Sequence, residues 1–458
     1  MKGLGAVVLL GRVLGVLLCS LPAACGAGGA STSKPGKPSL ARAGGTGSFA
    51  VVPVGGAEKL YLPEYSSASG EPAIAVVDVS AVGDGGRGTP ALLGEIELGA
   101  APAGRVAYAT TTAGDSTIVV AASTQSPTVW FIDPRTDQLI DELALGASYG
   151  QSTFRGDGGY VTSIALDPTR REAVLAVWNG FAIVDLTTRK IARILPAPPS
   201  ENFALDTVHR RVIAPFYDCA SSLSPSGEPP ASCGTPRALD GTPMTDGLSV
   251  VDLDDDAVYT YESTDARDPH APVGTLPGSA AIDPDTERTV VTSKGHQYQT
   301  IIDFSRAVFE RAERRVTAPS NVLTGNGLTD VAIAPGGRLA FWEGENARDI
   351  AAGVLTTLAP SSRVPDAGAD AGGGGEPEYV FGLMPSLPDG TEWMNAPSSH
   401  GIAVAASSTG APFGITVSHD YRWVARVDLA ALLALPDSYH EVADVSSAVT
   451  LLDAGTSR

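Results

Sequence analysis

The chain has 458 residues, of which 31 are Lys or Arg and 51 are Asp or Glu, so its formal net charge is −20. This acidic balance argues against a nucleic-acid partner, because phosphates would repel the protein. Of the 4 cysteines, Cys19 and Cys25 fall within the first 25 residues, so two remain in the rest of the chain.

The first residues read as an export signal. Lys2 and Arg12 precede an apolar run, and the small residues Ala23 and Ala24 stand just before Cys25, the order typical of a signal peptide. The apolar run is too short for a permanent membrane helix. We therefore predict a signal peptide over residues 1–24.

The cleavage region resembles that of bacterial lipoproteins, in which the cysteine is lipid-modified and becomes the N-terminus. The resemblance implies lipidation at Cys25 and a mature protein anchored to a membrane of the cell envelope, facing the periplasm or the exterior. Pro22 departs from the pattern, which prefers Leu three residues before the cysteine. The alternative is an ordinary secretory signal cut near Ala24 or Ala27, which would release a soluble periplasmic or secreted protein.

Residues 25–47 are rich in Gly, Ser and Pro and predict a flexible tether. A run of the same character, Asp366 to Glu378, predicts a disordered surface loop at about 364–378. Cys219 and Cys233 bracket a Ser/Pro-rich stretch. In an oxidising compartment they predict a disulfide at the base of that loop, and zinc is the rival interpretation.

The rest of the chain consists of short runs rich in Val, Ile, Thr and aromatic residues, separated by Gly, Pro and Asp, which predicts an all-β fold. A Val-Asp-Leu element recurs with gaps of 55, 52, 67, 51 and 125 residues. It stands at Asp78, Asp133, Asp185, Asp252, Asp303 and Asp428. The last gap spans two repeats, with the degenerate "VLTTL" at Val354 in the missing position, so seven repeats are expected.

A second element, such as "SIALDPTRREAVLAV" from Ser163, precedes each Asp element, and a more polar strand follows it. Each repeat is therefore a four-stranded meander, and such sheets bury both faces when they stack radially. We predict a β-propeller of seven four-stranded blades over residues 48–441, with a C-terminal tail over 442–458. We expect residues 48–54 to close the ring by pairing in the last blade. The recurring Asp is expected to fix the turn into the outermost strand by accepting backbone N–H groups.

The two elements "IALDPTRREAVLAV" and "FAIVDLTTRKIARIL" resemble the repeats of bacterial seven-bladed propellers of the YVTN type. The resemblance covers residues 48–441 and lies in repeat pattern only. That class includes binding proteins, enzymes and exported proteins with no known activity, so the fold implies little about function.

The candidate site follows from propeller geometry, because residues just before the innermost strands ring one mouth of the central channel. Alignment of the repeats places five larger polar residues there: Arg105, Glu201, Asn202, Asp330 and His400. They could hold a divalent cation or a polar ligand and activate water, or they could simply be satisfied by channel water.

Neither a catalytic motif nor a cofactor motif is present, so no catalytic residue and no cofactor beyond a possible divalent cation is assigned. The acidic run from Asp252 to Asp256 is interpreted as a solvated turn, with calcium binding as the alternative. The expected function is a membrane-tethered binding or interaction module. Its expected partner is an unknown protein or small molecule, its expected state is a monomer, and the alternative is a metal-dependent hydrolase or lactonase at the channel mouth.

Overall fold

Seven sheets, here called blades 1 to 7, account for the described strands of the computed structural model. The structure describes residues 49–63, 71–80, 91–99, 103, 105–110, 117–123, 125–146, 160–217, 231–234, 244, 246–264, 276–293, 298–324, 328–333, 339–344, 350–354, 380–383, 402–406, 411–417, 423–429, 431 and 449–453. The predicted signal, the tether and the loop at about 364–378 lie outside these residues. No helix in the described part is long and apolar enough to cross a bilayer.

Each blade is a meander of strands that follow one another in the sequence. Blades 1 and 2 consist of β1 (Ala50–Val54), β2 (Ala57–Pro63), β3 (Ala73–Asp78) and β4 (Ala91–Glu97), then β5 (Arg105–Thr110), β6 (Thr117–Ala122), β7 (Thr128–Asp133) and β8 (Gln138–Ala144). Blades 3 and 4 consist of β9 (Ser163–Asp167), β10 (Glu172–Val177), β11 (Gly180–Asp185) and β12 (Lys190–Pro196), then β13 (Ala204–Asp206), β14 (Arg211–Phe216), β15 (Gly247–Asp252) and β16 (Ala257–Ser263).

The remaining blades follow the same order with one insertion. Blade 5 consists of β17 (Pro277–Asp283), β18 (Arg288–Ser293), β19 (Tyr298–Asp303) and, after the inserted β20 (Val308–Glu310) and β21 (Arg315–Ala318), β22 (Ser320–Thr324). Blades 6 and 7 consist of β23 (Leu328–Ile333), β24 (Leu339–Gly344), β25 (Ile350–Val354) and β26 (Val380–Leu383), then β27 (Ile402–Ala406), β28 (Pro412–Val417), β29 (Trp423–Asp428) and β30 (Val449–Asp453).

The innermost strands close a ring. Each of β1, β5, β9, β13, β17, β23 and β27 contacts the next, and β27 contacts β1. The predicted seven-bladed all-β propeller is therefore confirmed. Two details of the prediction are wrong. Residues 50–54 pair with β2 inside blade 1 rather than in the last blade, and the expected C-terminal tail contains β30, which pairs with β29.

The hydrophobic core lies between neighbouring blades. One cluster joins Val51 and Leu60 of blade 1 to Phe413 and Ile415 of blade 7, and similar clusters fill the spaces between blades 1 and 2, 2 and 3, 3 and 4, and 4 and 5. The outermost strands are mostly exposed in blades 2 and 3. Removal of both sheet faces from water is the main source of stability in this architecture.

Blade 4 is wider than predicted. The β20–β21 hairpin, inserted between the third and fourth strands of blade 5, adds to the outer edge of blade 4, where β21 pairs in parallel with β16. Phe309 of the hairpin packs edge to face on Tyr259, with ring centroids 5.2 Å apart. The insertion thus covers one exposed sheet edge and ties blades 4 and 5 together.

The recurring Asp ends the third strand of six blades, and Val354 occupies this position in blade 6, opposite Leu339. Asp185 Oδ1 accepts the backbone N–H groups of Thr187 (2.8 Å) and Thr188 (2.7 Å). These bonds hold the pKa of the Asp185 carboxyl below its usual range, the Thr188 bond most strongly. The equivalent residues in blades 1, 2, 4 and 7 also accept backbone N–H groups, so the predicted structural role is confirmed.

Charged side chains join successive blades around the ring. Among the described residues, charged pairs cross between neighbouring blades, and examples at five interfaces are Lys59–Asp137, Arg189–Asp141, Arg210–Asp167, Arg211–Glu287 and Arg426–Glu58. Of these, Arg210–Asp167 and Arg426–Glu58 are buried on both sides. Electrostatic contacts therefore reinforce five of the seven blade interfaces.

Candidate functional site

The channel mouth is defined by the residues at the start of the innermost strands or just before it. In blades 3, 4 and 5 these are Ser163, Asn202 and Ser279, each four residues before the Asp that ends its strand. Because a meander alternates direction, the loops between second and third strands reach this same end of the ring. The Asp turns lie at the opposite end.

Asn202 links three blades at the mouth. Its Oδ1 accepts a hydrogen bond from Ser163 Oγ over 2.7 Å, and its Nδ2 donates to Ser279 Oγ over 3.0 Å. These three positions, which are equivalent in the aligned repeats, are therefore in contact in the structure. Both ends of the amide are occupied by protein hydroxyl groups, so the structure gives Asn202 a role in fixing the positions of blades 3, 4 and 5.

Glu201 is buried, with 1 % of its surface exposed. Its Oε2 accepts a hydrogen bond from Tyr217 Oη over 2.7 Å, in a buried environment. Next to it, Thr162 Oγ1 donates to the Ser200 carbonyl over 2.5 Å. Of the five candidate residues, Glu201 and Asn202 have side chains that the structure describes, and both are hydrogen-bonded to other residues of the chain.

The other three candidates are only partly described or not described. Arg105 begins β5 and Asp330 lies in β23, where it pairs with Glu343, so both backbones stand at innermost strands as predicted. Their side chains, and the whole of His400, lie outside what the structure describes. The described part of the mouth contains hydroxyl groups, one amide and one carboxylate. The hydroxyls of Ser163 and Ser279 contact the Asn202 amide. An amide cannot act as a general base, so these contacts do not activate either serine as a nucleophile.

The segment that carries Cys219 and Cys233, here called the cysteine loop, arises beside this mouth. It connects β14 to β15 and starts at Tyr217, the residue that contacts Glu201. Ser232 Oγ donates to the Ala197 carbonyl over 2.8 Å, which holds the loop against the connection between blades 3 and 4. Cys233 is disulfide-bonded, and its predicted partner Cys219 lies outside the described residues, so the pairing stays a prediction.

The acidic run at the end of β15 is a turn whose charges face arginines. Asp252 accepts the N–H groups of the two residues that follow Leu253. The other three carboxylates pair as Asp254–Arg210, Asp255–Arg311 and Asp256–Arg193. These pairs favour the interpretation as a turn over calcium binding.

The sequence did not reveal one group of metal-ligand residues. Among the described residues, only Asp206, His209 and Glu287 bring three ligand atoms of His, Cys, Asp or Glu within 4.8 Å of one another. The group lies in the turns of blades 4 and 5, at the end opposite the mouth. Glu287 is distant in the sequence from the other two, and no local spacing joins them.

Comparison with known proteins assigns no family. No protein-family model matches the chain, and no curated protein matches it.

Several solved structures are similar in shape. A functionally unknown protein from Desulfotomaculum acetoxidans DSM 771 has a TM-score of 0.47 and 12% identity, over 83% of this chain and 96% of that one. The β-propeller domain of Cps50 (Swd1) from Myceliophteria thermophila has a TM-score of 0.43 and 14% identity, over 76% and 85%. Dihydro-heme d1 dehydrogenase NirN has a TM-score of 0.39 and 14% identity, over 71% and 56%. The description of this chain as a β-propeller rests on its own sheets.

Proposed function

We propose that the protein is an exported, lipid-anchored propeller that acts as a binding or interaction module in the cell envelope. The observation that carries the proposal is the pair of hydrogen bonds by which Asn202 joins Ser163 and Ser279. It uses the polar side chains of the described mouth to hold blades together. A rigid ring of this kind is a scaffold on which loops recognise a partner.

The cysteine loop is the recognition element in this proposal. It arises next to Glu201 and is held to the ring by Ser232, and the predicted bond between Cys219 and Cys233 would close the loop at its base. A loop fixed at its base loses less conformational freedom when it binds, so its contacts translate more fully into affinity. We propose an envelope protein or a small molecule as the partner, and a monomeric propeller as the binding form.

The anchor belongs to the same proposal. Cys25 would carry the lipid, and residues 26–47, taken as a flexible coil, would reach roughly 25 Å from the membrane. A single acyl chain binds a membrane only marginally, so stable residence needs more than one. We expect the protein to partition into detergent, and Cys25→Ala to abolish this partition while the propeller stays folded.

Site-specific photo-crosslinking tests where a protein partner binds. A photo-crosslinking amino acid at Ser224, within the cysteine loop, is compared with one at Thr187, an exposed turn residue at the opposite end of blade 3. We expect defined adducts in intact envelopes from Ser224 and none from Thr187. Equal labelling from both positions, or no adduct with protein or small molecule from Ser224, would contradict a recognition role for this end.

The enzyme alternative is tested by metal content. A mouth-bound catalytic ion would survive His209→Ala, which lies at the far end, and would be lost on Glu201→Gln. We expect no ion with this dependence. A stoichiometric ion that Glu201→Gln removes would replace the interaction module with a metal-dependent hydrolase.

A further inference from the structure

The turns of blades 4 and 5 bring an imidazole between two carboxylates. Asp206 ends β13, His209 lies in the turn that follows, and Glu287 lies in the turn between β17 and β18. In the equivalent turn of blade 3 the two corresponding positions are Arg170 and Arg171. Blades 4 and 5 thus carry His209 and Glu287 at the positions where blade 3 carries two arginines.

Asp206 fixes the orientation of the ring. Its Oδ1 accepts the backbone N–H groups of Val208 and His209, each over 3.0 Å, and the residue is 1 % exposed. Its Oδ2 lies 2.9 Å from His209 Nδ1. Since a carboxylate oxygen can only accept, Nδ1 carries the hydrogen, and in the neutral imidazole Nε2 then has a free lone pair.

That lone pair faces another acceptor. His209 Nε2 lies 3.6 Å from Glu287 Oε1, while the second oxygen of Glu287 accepts from Arg211 Nη1 over 3.2 Å. At this separation the two acceptors are not in contact, and the gap between them has room for a cation or a proton. The separation is longer than a hydrogen bond, and it is close to the roughly 3.4 Å expected between two ligands of a tetrahedral ion with bonds of about 2.1 Å.

We propose that His209 Nε2 and Glu287 Oε1 bind a divalent transition-metal ion of the zinc type between blades 4 and 5. Asp206 supplies the carboxylate that receives the other ring N–H, an arrangement that ligand histidines commonly have. The His209 side chain is 33% exposed, so solvent water has access to the remaining coordination positions. The rival occupant of the same gap is a proton, which would make His209 an imidazolium bridge.

The proposed metal site lies away from the channel mouth and would have a structural role. It spans two blades at the end that carries the Asp turns, and binding would hold these blades together. It does not depend on the proposed interaction function, because neither the cysteine loop nor Cys25 takes part. A metal at this site would also be retained by Glu201→Gln.

Titration with Co²⁺ tests the proposal. Protein without a histidine tag is treated with chelator and titrated, with visible absorption bands and calorimetry as readouts. We expect one equivalent to bind with micromolar affinity and nitrogen ligation. His209→Ala and Glu287→Gln should each weaken binding at least tenfold, and Asp206→Asn by roughly 10- to 100-fold. Arg170→Ala, at the position of blade 3 that matches His209, should bind as the unaltered protein does.

Absence of a bound equivalent in the unaltered protein would overturn the site in favour of the proton bridge. Binding that His209→Ala and Glu287→Gln leave unchanged would place the ion elsewhere and overturn it equally. Glu287→Gln preserves the side-chain shape, so it keeps the test valid if His209→Ala does not fold.

Discussion

Arg426 of blade 7 donates a hydrogen bond from Nη1 to Glu58 Oε2 of blade 1 over 2.6 Å, and so joins the two ends of the ring. Both side chains are buried, with 9% and 7% of their surfaces exposed. The guanidinium also lies 3.5 Å from the centroid of the Phe413 ring, and Nη1 donates to the Val79 carbonyl. This ion pair therefore holds blade 7 against blade 1, which are the last and the first blades in the sequence.

Arg426→Met is expected to destabilise the protein by about 3–5 kcal/mol, because it leaves the Glu58 carboxylate buried without its cation. The double variant Glu58→Gln with Arg426→Met should recover part of this loss. Urea unfolding measures both. Arg135→Ala removes a pair whose arginine is 67% exposed and should leave stability nearly unchanged, because solvent screens such a pair. Equal effects of Arg426→Met and Arg135→Ala would contradict the role of the buried pair.

Gly180 is expected to be irreplaceable in blade 3. It has φ +135°, and a Cβ atom there would lie 2.1 Å from the Leu195 carbonyl oxygen and 2.6 Å from the Ala197 amide nitrogen. Gly180→Ala should therefore shift the backbone of β12 and cost more than the roughly 1–3 kcal/mol of an unfavourable φ alone. Gly94→Ala is the control, since a Cβ atom at Gly94 meets nothing within 4 Å. Thermal unfolding of the two variants should differ clearly, and similar midpoints would refute the expectation.

The protein should lose stability at alkaline pH. Burial raises the pKa of Tyr61 well above its ordinary value of about 10, and the hydrogen bond from its hydroxyl to Asp137 Oδ1 adds to this. Burial likewise raises the pKa of Tyr261. The folded state thus holds these protons more tightly than the unfolded state. The stabilisation is complete below about pH 10 and is lost as the pH rises above it.

Unfolding by urea at a series of pH values measures this effect. Tyr61→Phe should flatten the decline above about pH 10, and the double variant with Tyr261→Phe should flatten it further. Phenolate absorbance gives an independent check, because both side chains should ionise together with unfolding. Ionisation of all tyrosines near pH 10 in a protein that stays folded would contradict the prediction.

A bond between Cys219 and Cys233 is expected to close the cysteine loop at its base. Replacement of both residues by Ala should leave the ring folded and lower the free energy of unfolding by at most about 3 kcal/mol. Thiol labelling of unfolded, unreduced protein gives the direct check. Two reactive thiols at these positions would show that the prediction is wrong.

The sequence predicted the ring because each blade carries its own local signals. The six Asp residues, and the gap filled by Val354, locate the third strands, and turn chemistry at positions such as Asp185 is local. It did not predict the β20–β21 hairpin on blade 4, because the preference of that strand pair for a neighbouring sheet edge has no local signature. For the same reason the proximity of His209 and Glu287 could not be predicted, because these residues come together only when blades 4 and 5 stack.

Intact-mass analysis of the mature protein, isolated from the membranes of a bacterium that processes lipoproteins, tests the central claim most directly. The account predicts an N-terminus at Cys25 that carries the mass of more than one acyl chain. Cys25→Ala should yield a chain without that mass. A mature protein recovered in soluble form, with its N-terminus at or beyond Cys25 and no lipid, would contradict the anchor and leave a secreted propeller.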